Sequence, residues 1–504
     1  MDQTEMHKLA ARFARIAKLD HAMTYLGWDQ MVMMPPAGST GRSEAIAELA
    51  SLRHEALVAP EVGGWLAQAE ASVSIAEDRA RLREMRREHR EATALPADLV
   101  RARITVGSAC EQGWRQQRPD NDWTGFLENF KPVVTIAREV ADAYRAAEPD
   151  VYATRYDALM AQHCNGDKPE TVNAVFAELS ERLPQLLARV MAHQQAHPVP
   201  TIAGPFAREQ QIDLGRRLAI QLGFDFESGR LDTSLHPFST GSRGDLRITT
   251  RYVDEDLFDA LQATAHEIGH ASYEGGLPEL WANEPVGASR SMSVHESQSL
   301  FFEKHLFLSR AFQTGFASAI HESLPQLNSH SGEQFWRSQL GVGPSHIRVE
   351  ADEVTYPLHV LLRFEIERDL MNGAIEASDV PEAWAASMQR LLGIDTRGDF
   401  TNGCLQDIHW TDGAFGYFPS YTLGAVNAAQ LAATIDKDLP NWRHDLEQGS
   451  ADVILQLRGW LGKHIWSRAS TVDADTLIRE ATGASADPAH LLAHLERRYI
   501  DEAV

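Results

Sequence analysis

The sequence has few cysteines, and they lie far apart. Cys110, Cys164 and Cys404 are odd in number and include no CxxC pair. The sequence therefore predicts neither a disulfide framework nor a cysteine-based metal site. Free cysteines are typical of a reducing compartment, so we expect a cytoplasmic location.

Long apolar runs are also missing. No window approaches the roughly 18 uninterrupted apolar residues that a membrane span requires. The first residues, MDQTEMHKLAARFARIAKLD, contain no apolar segment behind a basic one. We therefore expect no secretory signal and no membrane partner.

Positive charge is scarce. The 504 residues include 47 Lys and Arg against 71 Asp and Glu, for a formal net charge of −24. This surplus of negative charge repels phosphate backbones, so we expect no nucleic-acid partner. Hydrophobic residues make up 43% of the chain, which is enough to bury a core. The length fits one large lobed domain or two domains.

Helical periodicity dominates the patterns that are present. Apolar residues recur at three- and four-residue steps over 5–26. Charges of both signs at the same spacing over 76–91 are typical of a solvated helix face. The proline-rich stretch HPVPTIAGPF (197–206) predicts a loop and a possible boundary between lobes. Further helices are predicted at 123–147, 168–196 and 206–223.

One segment alternates with a period of two instead. In DLRITTRY (245–252) every second residue is apolar or β-branched, and the glycine-containing stretch STGSRG (239–244) precedes it. This pattern predicts a strand in a hairpin. The expected fold class is therefore mainly α, with a small antiparallel sheet beside the motif described next.

Residues 264–270 read TAHEIGH and contain the pattern His-Glu-x-x-His. Histidines four residues apart lie on one face of a helix, so His266 and His270 can bind one zinc ion. Glu267 then lies on the side of an attacking water molecule, and we expect it to act as the general base. The motif therefore predicts a zinc-dependent peptidase.

The ends of the motif helix are also readable. Asp254, Glu255 and Asp256 suit a helix N-terminus, where acidic side chains complement the dipole. Gly275 and Gly276 would end the helix. The motif is thus predicted in the second half of an amphipathic helix of about five turns.

A hydrolytic zinc site needs a third protein ligand and one open position. Gly276 excludes the HExxHxxGxxH class, which requires histidine there. Glu274 lies two turns from the first histidine, too far along the axis to share one ion. Glu296 and His295, on a second predicted helix (289–305), remain. Only one of them can face the metal, because adjacent helical residues point about 100° apart.

Beyond the motif, the chain resembles the carboxypeptidase Taq family of metallocarboxypeptidases over most of its length. The early stretch WDQMVMMPPAGSTGRSE (28–44) is similar to the N-terminal region of that family. The blocks that carry the resemblance are HPF (236–238), DLRIT (245–249), HEIGH (266–270), HESQ (295–298), IRVEAD (347–352) and GCLQDIHW (403–410).

The resemblance implies a mostly helical, two-lobed body with a deep cleft, similar to the architecture of neurolysin and angiotensin-converting enzyme. It implies a single metallopeptidase domain over 1–504, with an N-terminal lobe over about 1–200 and a catalytic lobe over about 201–504. The metal would be zinc, replaceable by cobalt, and Glu296 would be the third ligand. The activity would be release of single C-terminal residues with broad specificity, by a homodimer acting on peptides with a free C-terminus.

A carboxypeptidase must also bind the substrate's free carboxylate, and arginine suits this because its planar fork donates two parallel hydrogen bonds. Arg348 and Arg247 lie in blocks of the resemblance. We expect Arg348 on a helix, with Asp352 one turn later to orient it. His236 is a further candidate for contact with the substrate.

An oxyanion formed during hydrolysis needs a donor besides the metal, typically a tyrosine or histidine. The stretch QDIHWTDGAFGYFPSYTLG (406–424) offers His409, Tyr417 and Tyr421. The sequence does not choose among these three.

Two other functions fit the same motif. An oligopeptidase or dipeptidyl carboxypeptidase would use the same zinc site with a more open cleft. A helical binding protein with a structural metal would usually need four ligands, often cysteines, and the sequence does not supply them.

Overall fold

The computed structural model describes residues 4–503, and this part of the chain is mainly helical with one small sheet, as the sequence predicts. The strands are β1 (Gly229–Thr233), β2 (Ser239–Ser242) and β3 (Asp245–Thr250). The α-helices are α1 (Glu5–Val32), α2 (Ser39–Val58), α3 (Pro60–Ser72), α4 (Ala76–Ala94), α5 (Ala97–Gln117), α6 (Trp123–Ala147), α7 (Arg155–Met160), α8 (Pro169–Ala196), α9 (Arg208–Gln221), α10 (Leu257–Gly276), α11 (Met292–Leu300), α12 (Arg310–Ser323), α13 (Gly332–Arg337), α14 (Tyr356–Asn372), α15 (Val380–Leu392), α16 (Pro419–Asp438), α17 (Trp442–Glu447), α18 (Asp452–His464), α19 (Ala474–Thr482) and α20 (Pro488–Glu496).

The helices predicted from periodicity are present, with small shifts at their ends. Helix α6 has the predicted bounds, and α1 continues past the predicted end to Val32. Helix α9 begins only at Arg208, because the proline-rich stretch before it has no helical structure, as expected. Within residues 4–503, no helix has both the length and the apolar character of a membrane span.

The sheet lies beside the predicted motif helix, but its pairing is mixed. Strand β3 is in the centre, antiparallel to β2 and parallel to β1. The expected hairpin is the β2–β3 pair, where Gly241 and Gly244 have positive φ angles. The expectation of a purely antiparallel sheet was wrong for β1, because the chain crosses from β1 to the far edge before β3 fills the middle. Thr250 then donates a hydrogen bond to the carbonyl of Ala260, which ties β3 to α10.

The side chains pack into two large hydrophobic cores and a small one. The small core joins α1, α2, α3 and α4. One large core joins α5–α8 to α14–α16 and α20, so helices before and after residue 200 share it. The other joins α9–α13, β3 and α17–α19. Helix α16 contributes to both, with Leu423 and Val426 in the first and Leu431 and Ile435 in the second. It therefore forms a common wall behind the elements that carry the motif.

Candidate metal centre and cleft

Helix α10 presents the two motif histidines on one side. Its N-terminus is fixed by Asp256, whose carboxylate accepts hydrogen bonds from the backbone N–H groups of Phe258 (2.9 Å) and Asp259 (3.2 Å). The opposite face is buried in the second large core. His266 and His270 lie one turn apart on the other side, with ring centroids separated by 4.8 Å.

Helix α11 brings the third candidate ligand to this pair. Glu296 Oε1 lies 3.9 Å from His266 Nε2, and Glu296 Oε2 lies 3.5 Å from His270 Nε2. The donor atoms of the three residues all lie within 4.8 Å of one another. Two ligand atoms that each lie about 2.0–2.2 Å from one tetrahedral ion are separated by distances similar to those between these side chains. Two imidazole nitrogens and a carboxylate therefore fit one zinc ion.

Close helix packing makes this arrangement possible, and glycines permit it. A Cβ atom at Gly269 would lie 2.5 Å from the carbonyl oxygen of Gln298, so α10 and α11 touch backbone to backbone. A Cβ atom at Gly424 would lie 2.6 Å from Glu296 Cβ and Cγ, so α16 packs directly against this candidate ligand. The position of Glu296 is thus set by two neighbouring helices.

A carboxylate supports the first histidine from behind. Glu303, in a π-helical segment that continues α11, lies with Oε2 2.8 Å from His266 Nδ1. Burial opposes the charged imidazole, but Glu296 and Glu303 outweigh it and raise the pKa of His266 to about 10. Burial favours a protonated Glu303, but Lys304 and His266 outweigh it and lower its pKa to about 2. Two carboxylates thus flank His266 and favour a positive charge at this position.

Histidine 295 faces the second ligand rather than the centre between the three. Its Nδ1 atom lies 2.6 Å from Nδ1 of His270, and its Nε2 atom lies 2.9 Å from Oε1 of Glu274. Adjacent positions on α11 thus point in different directions, as helical geometry requires. Glu274, which sequence reasoning excluded as a ligand, lies behind His295.

Glu267 lines a cleft of about 1030 Å³ together with the three candidate ligands. Its side chain is buried, and burial raises its pKa to about 7, while His266 acts in the opposite direction. A carboxyl group with a pKa near neutrality can both accept and return a proton.

Arg348 lies in the same cleft but not on the predicted helix. It begins a short 3-10 segment (Arg348–Glu350). The expectation that Asp352 orients Arg348 was wrong. Asp352 instead accepts hydrogen bonds from the backbone of Gly343 and of the residues before α14. Arg348 instead donates from Nε (3.0 Å) and Nη2 (2.8 Å) to Asp407 and from Nη1 to Tyr356 (2.8 Å). Two of its five N–H groups remain for another acceptor.

Asp407 connects Arg348 to a second, fully buried arginine. Its other oxygen, Oδ2, accepts a hydrogen bond of 2.6 Å from Arg363 Nε. Burial favours protonation of Asp407, but Arg363 and Arg348 outweigh it and hold its pKa below the usual range. One carboxylate thus faces two guanidinium groups, and this leaves a net positive charge beside the cleft.

The three oxyanion candidates do not lie equally close to the cleft. Tyr417 and Tyr421 line it, with ring centroids 5.3 Å apart. Burial raises the pKa of both hydroxyls, so they stay protonated and can donate. His409 is not among the lining residues; its ring packs on Phe418, and burial lowers its pKa to about 4.

The two remaining candidates lie outside the cleft lining. Arg247 forms an ion pair with Asp245 and lies over the rings of Tyr25 and Trp28. His236 is exposed, although the two residues after it, Pro237 and Phe238, line the cleft.

Sequence reasoning missed Glu303, Tyr356 and Asp407. Glu303 had a readable signal, because it lies seven residues, or two turns, after Glu296 and so on the same side of the helix. Asp407 lies in the GCLQDIHW block but gave no sign of its partners, which are 59 and 44 residues away.

In sequence and in overall structure, the chain is similar to known metallopeptidases. The sequence model of the carboxypeptidase Taq (M32) metallopeptidases matches residues 8–499. The chain is 36% identical to thermostable carboxypeptidase 1 of Thermus thermophilus, over 94% of each chain. It is 33% identical to thermostable carboxypeptidase 1 of Pyrococcus furiosus, over 98% of each chain. Its structure is similar to Trypanosoma cruzi metallocarboxypeptidase 1, with a TM-score of 0.95, 36% identity and 99% of each chain covered.

Proposed function

Because the chain belongs to the carboxypeptidase Taq (M32) family of metallopeptidases, we propose that it uses zinc to release single C-terminal residues from peptides. The observation that carries this proposal is the group of His266, His270 and Glu296, whose donor atoms lie within 4.8 Å of one another on the wall of a large cleft. Peptides with a free C-terminus are the proposed substrates.

Zinc is the metal that this donor set favours. Two imidazoles and one carboxylate are a common ligand set of catalytic zinc, whereas structural zinc usually has four ligands. Within residues 4–503, no fourth His, Cys, Asp or Glu belongs to the group. Cobalt accepts similar nitrogen and oxygen ligands, so we expect it to substitute in vitro.

When bound, zinc polarises the scissile carbonyl and lowers the pKa of water. Glu267 is the proposed general base: it accepts a proton from the attacking water and returns it to the leaving amine. Support comes from its place in the motif, its position in the cleft wall and its pKa near neutrality.

Arg348 is the proposed receptor for the substrate's C-terminal carboxylate. It lines the cleft, and two of its N–H groups have no partner among residues 4–503. Asp407 and Tyr356 hold its guanidinium in place, which reduces the entropy lost when a substrate binds. Asp352 has a local role in this proposal, as a cap for the turn before α14.

Tyr417 and Tyr421 are the proposed donors to the oxyanion, since both hydroxyls stay protonated beside the candidate ligands. His409 then contributes indirectly, because its ring packs against Phe418 and Tyr417 just before α16.

Broad specificity, a homodimer and a cytoplasmic location complete the proposal. The large cleft supports broad specificity. The homodimer is proposed from the resemblance to the family. Three buried, unpaired cysteines support a reducing compartment. Sedimentation equilibrium tests the dimer directly, and a monomeric mass contradicts it.

The test of the proposed function compares one peptide as the free acid and as the C-terminal amide. Mass spectrometry should show stepwise loss of single residues from the free acid alone. A chelator should stop the reaction, and added zinc should restore it. Internal cleavage or release of dipeptides would instead favour an oligopeptidase.

A variant links this test to the structure. Arg348→Ala should raise KM for the free acid by about 10–100-fold, the loss expected for a charged hydrogen-bonded contact, while zinc content stays unchanged. Arg397→Ala, which removes an exposed arginine, is the matched control. Unchanged KM in Arg348→Ala would remove this residue from the substrate site.

A further inference from the structure

A histidine and a glutamate lie in line behind one candidate metal ligand. His270 directs Nε2 toward Glu296 and Nδ1 toward His295, where the two Nδ1 atoms are 2.6 Å apart. The second ring nitrogen of His295 lies 2.9 Å from Glu274, which also accepts a hydrogen bond of 2.8 Å from Ser289. The line thus runs from the centre to a carboxylate anchored on α10.

The tautomers of His270 and His295 follow from which nitrogen of His270 binds the metal. If Nε2 of His270 is the ligating atom, the proton of the neutral ring is on Nδ1, which becomes a donor. The Nδ1 atom of His295 must then accept, so its own proton is on Nε2. Glu274, an acceptor, completes the sequence. With both rings neutral and Nε2 of His270 on the metal, each contact then has one donor and one acceptor.

We propose that His295 and Glu274 are positioning residues, which hold the ring of His270 in the orientation and tautomer that bind the metal. This inference rests on the proposed zinc site. The two ligand histidines are then supported differently: a carboxylate contacts His266 directly, whereas the imidazole of His295 separates His270 from its carboxylate.

The position of Glu274 explains why His295 is needed between this carboxylate and His270. Glu274 lies one turn beyond His270 on the same helix, and its carboxylate contacts His295 rather than the His270 ring. His295 fills the space between them, with its ring centroid 4.5 Å from that of His270 and 5.5 Å from that of Tyr273. Helix α11 thus supplies both a ligand, Glu296, and the support of another ligand.

Metal affinity, measured without any peptide, is the direct test. Zinc dissociation constants are determined on the full chain by competition with a chromophoric chelator. His295→Leu removes the acceptor and should weaken zinc binding by about 10–100-fold, the usual effect of losing such a support. Glu274→Leu should act in the same direction. The absorption spectrum of the cobalt-loaded His295→Leu protein should also change, because it reports ligand geometry.

A conservative variant separates positioning from general damage. His295→Asn has an amide oxygen near the place of Nδ1, so it should regain most of the affinity that His295→Leu loses. His305→Leu is the matched control: His305 is buried on the same helical run, and its ring packs on His494. Its zinc affinity should equal that of the parent protein.

Two results would overturn the inference. One is a His295→Leu protein that binds zinc as tightly as the parent. The other is a His295→Asn protein as weak as His295→Leu, since the acceptor would then not matter. A parent protein without zinc affinity would instead contradict the proposed function itself.

Discussion

At the scale of single residues, burial and charged neighbours set the protonation state of each titratable group in the candidate metal centre. Burial alone would keep His266 neutral and Glu303 protonated, yet Glu296 and Glu303 raise the pKa of His266, and Lys304 and His266 lower that of Glu303. Glu267 has no such contact, and burial leaves its pKa near 7. The same cleft therefore contains one carboxylate that stays ionised and one that can exchange protons.

Glu267→Gln should separate metal binding from turnover. The amide keeps the shape of the side chain but cannot accept a proton, so kcat should fall by about 100- to 10,000-fold. Zinc content, measured by atomic absorption, should stay equal to that of the parent.

The control is Glu350→Gln, the same chemical change at an exposed position of the cleft wall, which should retain normal turnover. Full activity in a zinc-loaded Glu267→Gln protein would exclude this residue as the base.

Local spacing determined which of these residues could be predicted. The two histidines and Glu267 lie within one helical turn or so, and fixed helix geometry makes their proximity readable. The choice of Glu296 over His295 needed the family resemblance, because only tertiary packing decides which of two adjacent side chains faces inward. The partner of Arg348 was predicted wrongly, since a nearby carboxylate in the sequence was taken and the real one is 59 residues away.

At the scale of elements, three helices meet at positions that allow no side chain. Gly269 lets α10 approach α11, and Gly424 lets α16 approach Glu296. Neither contact could be predicted, because a glycine inside a helix does not indicate what approaches it. Helix existence was readable from periodicity, whereas the parallel pairing of β1 with β3 was not, since it depends on the path of the chain between them.

Gly424→Ala should weaken zinc binding by displacing Glu296. The new Cβ atom would lie 2.6 Å from two atoms of that ligand, so α16 and α11 must separate. We expect a loss of about 1–3 kcal/mol in the free energy of unfolding and a larger zinc dissociation constant, measured by denaturant titration and chelator competition.

The matched control is Gly459→Ala in α18, where nothing lies within 4 Å of the new atom. That change should raise the free energy of unfolding by about 0.5–1 kcal/mol and leave zinc affinity unchanged. Equal zinc affinity in both variants would show that α16 does not position Glu296.

At the scale of the whole molecule, buried carboxylates join distant parts of the chain. Asp407 joins Arg348 and Arg363, and Glu353 accepts hydrogen bonds from His494 (2.9 Å) and Tyr499 (2.9 Å) near the C-terminus. Burial opposes ionisation of both carboxyls, but cationic neighbours outweigh it and lower both pKa values. These contacts hold the cleft wall to the helices behind it.

The two carboxyls should make the fold sensitive to acid. Their pKa values are lower in the folded protein than in the unfolded chain, so their stabilisation is present above about pH 4 and lost as the pH falls further. The Tm should therefore fall as the pH decreases below about 4, with up to about 1.4 kcal/mol of stability lost per pH unit for each group.

Asp407→Asn tests whether the carboxyl group of Asp407 contributes to the fall of Tm in acid. Its Tm should be lower at neutral pH, because two buried arginines lose their counter-charge, and its decline in acid should be shallower. Asp395→Asn, at an exposed carboxylate, should follow the parent at every pH. A parent-like acid decline in Asp407→Asn would assign the effect to other groups.

The central claim is that one zinc ion is bound by His266, His270 and Glu296. Anomalous X-ray diffraction at the zinc absorption edge, from crystals of the zinc-loaded protein, tests it most directly. We expect one strong peak about 2.0–2.2 Å from a nitrogen of each histidine and an oxygen of Glu296. A peak bonded to His295 or Glu274, or no peak near α10 and α11, would contradict it.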